Sequence, residues 1–252
     1  MIRPSVKVLK KWLAENEVDA IITNGPPHSV HLIGLHLKQA TGLPWLADFR
    51  DPWTTIDFRH KLPMTPYAIK RNQLLEKEVL QNADCVTCVS PSWAADLEKI
   101  GNRNVEVIYN GYDSDDFPIS SDKLGQHFTI THIGSMNDDR NPTQLWRALG
   151  ELRREHKGFS HDLQIEFYGL TDFEVFEHLE KNGLKNKTQN HGFLPHCEMT
   201  TLLSTKAILL LSQNRTDNVM GIIPGKLFEY LASKRPILTI GHPDGDLSLI
   251  HI

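Results

Sequence analysis

Short apolar runs alternate with helix-spaced runs along almost the whole chain, and this rhythm limits its fold more than any other feature. Val6, Leu9 and Leu13 recur at helical spacing over 6–15. An apolar run at 18–23 then ends in Asn24-Gly25-Pro26-Pro27, a strand followed by a turn. The same reading predicts helices over 29–39, 66–82 and 92–100, and strands over 44–49, 85–90 and 105–109. After a polar stretch the rhythm restarts, with strands at 128–133, 163–168, 189–191, 207–212 and 237–240. Helices over 143–156, 173–182, 198–204 and 226–233 fall between or before them. Strands that alternate with helices pair in parallel and are covered by helices on both faces, so the expected class is α/β.

The polar stretch sets the expected organisation. Asn110-Gly111-Tyr112-Asp113 and the residues to Gln126 break the pattern, giving an N-terminal domain over 1–113, a linker over 114–126 and a C-terminal domain over 127–252. A chain of 252 residues has room for two modest cores. Its net charge of −4 offers no basic excess to neutralise phosphates, which argues against nucleic acid as the main partner. Arg3, Lys7, Lys10 and Lys11 form a local basic patch, read as a solvated helix face in preference to a membrane-surface contact.

Three cysteines cannot build a disulfide framework and fit a reducing compartment. Cys85 and Cys88 stand three apart in a strand-like run, so their side chains point to opposite faces and cannot clasp one metal. No metal site is expected. The longest apolar stretch, 207–211, is too short to span a bilayer, and the expected location is cytoplasmic.

Ligands of parallel α/β sheets bind beyond the carboxyl ends of the strands, so the loops there carry the candidate chemistry. In the second half these are Gly134 to Pro142 with Arg140, His191-Gly192-Phe193-Leu194-Pro195, and the segment from Gly221 to Leu238. In the last, Pro224 opens a helix whose Leu227, Tyr230 and Leu231 form a stripe suited to burial. Lys226 and Glu229 share another face of that helix. A cation, a carboxylate and free backbone N–H groups at one helix start suit a ligand bearing phosphate and hydroxyls; a surface ion pair is the alternative. In the first half, His28 stands where a strand gives way to a helix, either acting on a sugar or a proton or merely closing a turn. Asp48, Arg50 and Asp51 form either an internal network or part of an acceptor pocket, while His31 and His36 read as ordinary positions.

With these residues on the page, the chain resembles the retaining glycosyltransferases of family 4. The resemblance rests on Asn110-Gly111-Tyr112-Asp113, on His191-Gly192-Phe193 and most on 224–238. It implies the GT-B fold, two Rossmann-like domains facing a cleft. The runs Gly25-Pro26-Pro27-His28-Ser29 and Ala47 to Trp53 resemble a bacterial branch that builds surface polysaccharides. By this resemblance the chain is a hexosyl-type transferase moving sugar from a nucleotide-sugar, such as a UDP- or GDP-sugar, to a glycan or lipid-linked acceptor with retention. It would need no cofactor or metal and would work in the cytoplasm or at the inner membrane face, with peripheral membrane contact. Carried over by position, Glu229 holds the ribose hydroxyls, and Lys226 and Arg140 neutralise the departing diphosphate. Gly134 lets the backbone approach the donor, Gly192 and Phe193 lie against the base, and His28 lies near the transferred sugar. Two positions depart from the family pattern: Gly221 stands where a sugar-contacting Glu is usual, and Ser135 where a cation is usual. The family normally starts with an earlier strand and ends with further helices, so both domains are expected to be incomplete. An inactive nucleotide-sugar-binding fragment is the alternative reading.

Overall fold

The computed structural model describes residues 1–117 and 124–249 and divides into two compact units. The first comprises Met1–Tyr109, Thr216–Ile223 and Asp244–Ile252; the second comprises Asn110–Arg215 and Pro224–Pro243.

In the first unit α1 (Ile2–Glu15) precedes β1 (Ile21–Gly25), α2 (Ser29–Thr41), β2 (Trp45–Phe49), α3 (Pro66–Asn82), β3 (Cys85–Cys88), α4 (Pro91–Gly101) and β4 (Glu106–Val107). The four strands are parallel and lie in sequence order. Local chemistry sets the helix ends. The Thr65 side chain accepts from the Ala68 N–H while Pro66 fills the first turn of α3. Gly42 closes α2 in the left-handed region, its N–H donating to the Lys38 carbonyl. Trp45, Ala47 and Phe49 alternate along β2 and are buried with Val79, Leu80 and Val86 in one core. Asp48, between them, accepts from Asn24 and Thr87 at 2.7 Å each, tying three adjacent strand ends together. No residue of α1 is buried, and Val8 and Trp12 are exposed.

The second unit runs β5 (Phe128–Ile133), α5 (Thr143–Glu155), α6 (Lys157–Asp162), β6 (Leu163–Tyr168), α7 (Phe173–Lys181), β7 (Thr188–Gly192), α8 (His196–Leu203), β8 (Ile208–Ser212), α9 (Lys226–Ala232) and β9 (Ile237–Ile240). Its sheet is parallel, in the order β7-β6-β5-β8-β9. The chain winds outward from β5 in one direction, then returns to its other side with β8. That reversal is a topological switch point, where parallel α/β sheets open a binding crevice. Trp146, Leu163, Ile165 and Phe167 anchor its core.

The structure corrects the expected organisation in three places. Thr216–Ile223 and the helix α10 (Asp246–Leu249) group with the first unit, so the expected C-terminal domain over 127–252 is not contiguous. The physical ties are specific: Ile222 packs on the first core, and Asp246 accepts from the Ser92 N–H and hydroxyl at 2.7 and 2.8 Å. Of the expected linker, 114–117 and 124–126 group with the second unit, and 118–123 lie outside the described residues. Finally, α6 lies where no helix was expected; its KGFSHD segment carries a glycine and one large apolar residue, so it shows no helical stripe. Among the described residues no helix is long and apolar enough to cross a membrane.

Candidate functional site

The second unit's site grows from the ends of β5 and β8, the strands flanking the switch point. Gly134 follows β5 at φ 99°, a region that favours glycine, and its N–H donates to the Tyr168 carbonyl at 2.7 Å. Gly169 follows β6 at φ 122°, its N–H donating to the Gly192 carbonyl at 2.7 Å. A Cβ on Gly169 would lie 2.6 Å from the Gly134 carbonyl oxygen, so the two loops can meet only because residue 169 has no side chain. The strand ladder thereby continues into the loops and fixes their backbones side by side.

Lys226, at the start of α9, reaches under the Gly134 loop. Its Nζ donates to the Ile133 carbonyl at 2.8 Å and lies 3.3 Å from His132 Nε2. A Cβ on Gly134 would come within 3.3 Å of the same Nζ. His132 Nδ1 lies 3.0 Å from the Leu210 carbonyl. Burial, reinforced by Lys226, pushes its pKa to about 3, so the ring is neutral: Nδ1–H donates to Leu210 and Nε2 accepts from Lys226. Burial also lowers Lys226, to about 7, with Arg140 adding to the shift and Glu229 opposing it. Two cations brought this close favour an anion between them.

Arg140 sits in a short 3₁₀ turn, Asp138–Arg140, whose backbone is held by the Asn137 side chain. Its Nε donates to the Asn214 side chain beyond the end of β8, and its carbonyl accepts from Ser212 Oγ at 2.6 Å. Both sides of the switch point thus position this guanidinium. Ser135, where a cation was noted as usual, lies 3.4 Å from Arg140 Nη1 through its hydroxyl.

Glu229 stands one turn further along α9. It accepts from His196 Nε2 at 3.1 Å rather than pairing with Lys226, so the two residues turn to different partners. Tyr230 is fully buried, and its hydroxyl accepts from the Ile133 N–H at 3.0 Å, locking α9 to the end of β5. Two expectations change here. Leu231 is exposed, leaving Leu227 and Tyr230 as the buried stripe. The helix has only 7 residues, and the N–H groups of Leu227 and Phe228 already donate to the Pro224 and Gly225 carbonyls. These two N–H groups are therefore not free donors at the helix start. Gly192 ends β7 at φ 68°, and the neighbouring Phe193 ring is 88% exposed.

In the first unit His28 caps the start of α2 and is buried, its ring stacked between Phe49 and Trp53 at 5.7 and 5.5 Å. Burial pushes its pKa to about 4, with the Pro52 carbonyl opposing, so the ring is neutral near pH 7. Neither of its ring nitrogens has an aligned hydrogen-bond partner. His31 is a core residue, bonded to Thr23 Oγ1 at 2.9 Å, whereas His36 is exposed. Gly221 is buried against Trp93, and a Cβ there would lie 2.2 Å from the indole. A glutamate cannot occupy that position without displacing the ring.

Spacing alone did not mark Gly169, His132, His196 or Asn214. Gly169 had a usable signal, a glycine at a strand end like Gly134 after β5 and Gly192 at the end of β7. His132 had none, because an inward residue of a central strand looks like core. Among the described residues no group of three or more His, Cys, Asp or Glu side chains is placed to hold a metal ion.

Residues 1–116 match the sequence model described as Glycosyltransferase Family 4. No curated protein sequence matches the chain. Among solved structures it is similar to sucrose-phosphate synthase from Thermosynechococcus elongatus, with a TM-score of 0.68 and 15% identity over 94% of this chain and 60% of that one. It is similar also to HepE of Anabaena in complex with UDP, with a TM-score of 0.70 and 13% identity over 98% of this chain and 65% of that one. A glycosyltransferase from Rickettsia africae aligns with a TM-score of 0.66 and 17% identity over 96% of this chain and 64% of that one. The chain therefore spans between 60% and 65% of the length of these proteins. Its first 116 residues are similar to Glycosyltransferase Family 4, and its two parallel-sheet units have the fold of the GT-B glycosyltransferases.

Proposed function

We propose that the chain is a glycosyltransferase that moves a hexosyl group from a nucleotide-sugar to a glycan or lipid-linked acceptor, with retention and without a metal or other cofactor. The observation that carries this reading is the meeting of Lys226 and Arg140 at the β5/β8 switch point beneath the Gly134 loop. A departing diphosphate gains negative charge as the glycosidic bond breaks, and cations already in place stabilise that state without reorganising. Two such side chains do the work a divalent ion does elsewhere. Glu229 is the acceptor for ribose hydroxyls, with His196 holding its carboxylate; Gly192 and Phe193 lie against the base. The structures of HepE with UDP and with UDP-glucose support a uridine nucleotide as the first donor to try. His28, neutral and buried in the first unit, serves the transferred sugar or the acceptor hydroxyl. The proposed setting is the cytoplasm, at the inner membrane face when the acceptor is lipid-linked.

The test is release of nucleoside diphosphate by the purified chain. Release that falls by two orders of magnitude or more, roughly the effect of removing one charge-stabilising group, in Lys226→Ala and Glu229→Ala supports the enzyme. Because the chain spans under two thirds of the similar structures, a second reading is a nucleotide-sugar-binding fragment without turnover. Saturable UDP binding with no release would favour that reading. No binding of any nucleoside diphosphate would overturn both.

A further inference from the structure

His31 is a buried titratable group with no task in the proposed chemistry. It is 0% exposed on α2, its ring stacked on Phe49 at 4.5 Å and 5.7 Å from the His28 ring. One of its nitrogens ends a hydrogen-bond chain that begins on β2. Trp45 Nε1–H can only donate, and it donates to Thr23 Oγ1 at 2.8 Å. That hydroxyl lies 2.9 Å from His31 Nδ1, and all three residues are buried. Among the described residues Thr23 Oγ1 has no other partner, so its own proton is bonded only if it goes to His31 Nδ1. Nδ1 therefore accepts. Burial, with His28 adding to it, pushes the His31 pKa to about 3, so the ring is neutral and carries its single proton on Nε2.

That Nε2–H is directed toward His28 over Gly25. A Cβ on Gly25 would lie 2.6 Å from His31 Nε2 and 2.7 Å from His28 Nδ1, so the two nitrogens converge on one point beside a residue that must lack a side chain. Neither has an aligned hydrogen-bond partner elsewhere. An N–H facing another N–H there would leave two buried donors unpaired, whereas an N–H facing a lone pair is favourable. We propose that His31 is a positioning residue for His28: the relay Trp45–Thr23–His31 presents an N–H to His28 Nδ1, holds that nitrogen as an acceptor and keeps the His28 proton on Nε2. With Nδ1 engaged and Nε2 protonated, the neutral ring has no lone pair left to take a proton. His28 then acts as a hydrogen-bond donor and not as a base. The Pro52 carbonyl, which favours a proton on this ring, is an acceptor for it within the same unit. This assignment rests on the glycosyltransferase reading for what His28 meets, and on the relay alone for where its proton lies.

The experiment records the histidine ring nitrogens of the full chain by NMR near neutral pH, where the protonated and the bare nitrogen of a neutral imidazole resonate far apart. Both His28 and His31 should show a protonated Nε2 and a bare Nδ1. His31→Phe keeps an aromatic ring against Phe49 and removes the N–H, so the His28 Nδ1 signal should leave its wild-type position. Thr23→Val should shift the same signal at one remove, and Thr23→Ser, which keeps the hydroxyl, should restore it. Should His31→Phe fail to fold, the Thr23 pair carries the test. A merely structural His31 would lose stability in these variants and leave the His28 Nδ1 signal where it was. That outcome, or a proton on His28 Nδ1 in the unaltered chain, overturns the proposal. Absence of UDP binding with the His28 shifts as expected would instead overturn the glycosyltransferase reading and leave the relay standing.

Discussion

Lys226 shows how far one residue's chemistry follows from its surroundings. Its neighbours hold it near pKa 7 instead of 10.5, because burial and Arg140 disfavour the charged form more than Glu229 favours it. A diphosphate at the site reverses that balance. At about pH 8 an unliganded group of this pKa is mostly neutral, so binding UDP should take up close to one proton, falling toward zero at about pH 6. Calorimetry in buffers of different ionisation enthalpy measures this, and Lys226→Met should abolish the uptake. The same shift acts on stability. Between about pH 7 and 10.5 the unfolded chain holds a proton that the folded chain lacks, so this residue makes stability rise with pH across that window. Below it both states are protonated and the slope vanishes; unfolding of Lys226→Met against pH should lose the slope. Lys226 was legible in the sequence because a Lys and a Glu three apart on a helix invite a ligand reading. What the sequence did not carry was the neutral His132 that holds it, since the two lie on different elements and meet only through the sheet.

Among the elements, the strands were the most legible, because apolar residues recurring in short runs at every second or successive position, as at Phe128 and Ile130 or Leu163, Ile165 and Phe167, mark a strand; β5, β6 and β9 fall where the pattern put them. Their loops were less so, since close approach of one loop to another depends on positions far apart in sequence. Gly169 is the clearest case. At φ 122°, with the Gly134 carbonyl where its Cβ would be, Gly169→Ala should cost on the order of 3 kcal/mol, from backbone strain and overpacking together. Chemical denaturation measures the loss, and the surviving folded protein should bind UDP more weakly because the Gly134 loop must move. α4 offers a second case. Its Ser90 makes no side-chain cap bond, and Asp246, 154 residues further on than Ser92, supplies the carboxylate at its first turn. Asp246→Ala should destabilise by about 1–2 kcal/mol, the usual cost of a lost cap. No local N-cap signal could have revealed it.

At the scale of the whole molecule, the chain does not partition at one point. The sequence ended the first domain at Asp113 and set a linker over 114–126 because composition changes there, whereas the second unit begins at Asn110. It gave no sign that 216–223 and the last helix group with the first unit, because those segments are short and their partners, Trp93 and Ser92, lie more than a hundred residues away. Gly221 makes the consequence measurable. Introducing the glutamate expected there from the family resemblance, Gly221→Glu, should lower the melting temperature, because the Trp93 indole fills the space. In a double-mutant cycle with Trp93→Ala, the pair should be less damaging than the sum of the single changes by about 1 kcal/mol or more. The contact between Trp93 and Gly221 also bears on ancestry. Neither position can drift alone: a lineage that carries glutamate at 221 must carry something smaller than tryptophan at 93. Among relatives of this chain the two sites should change as one character, and sequences that have switched should sort together.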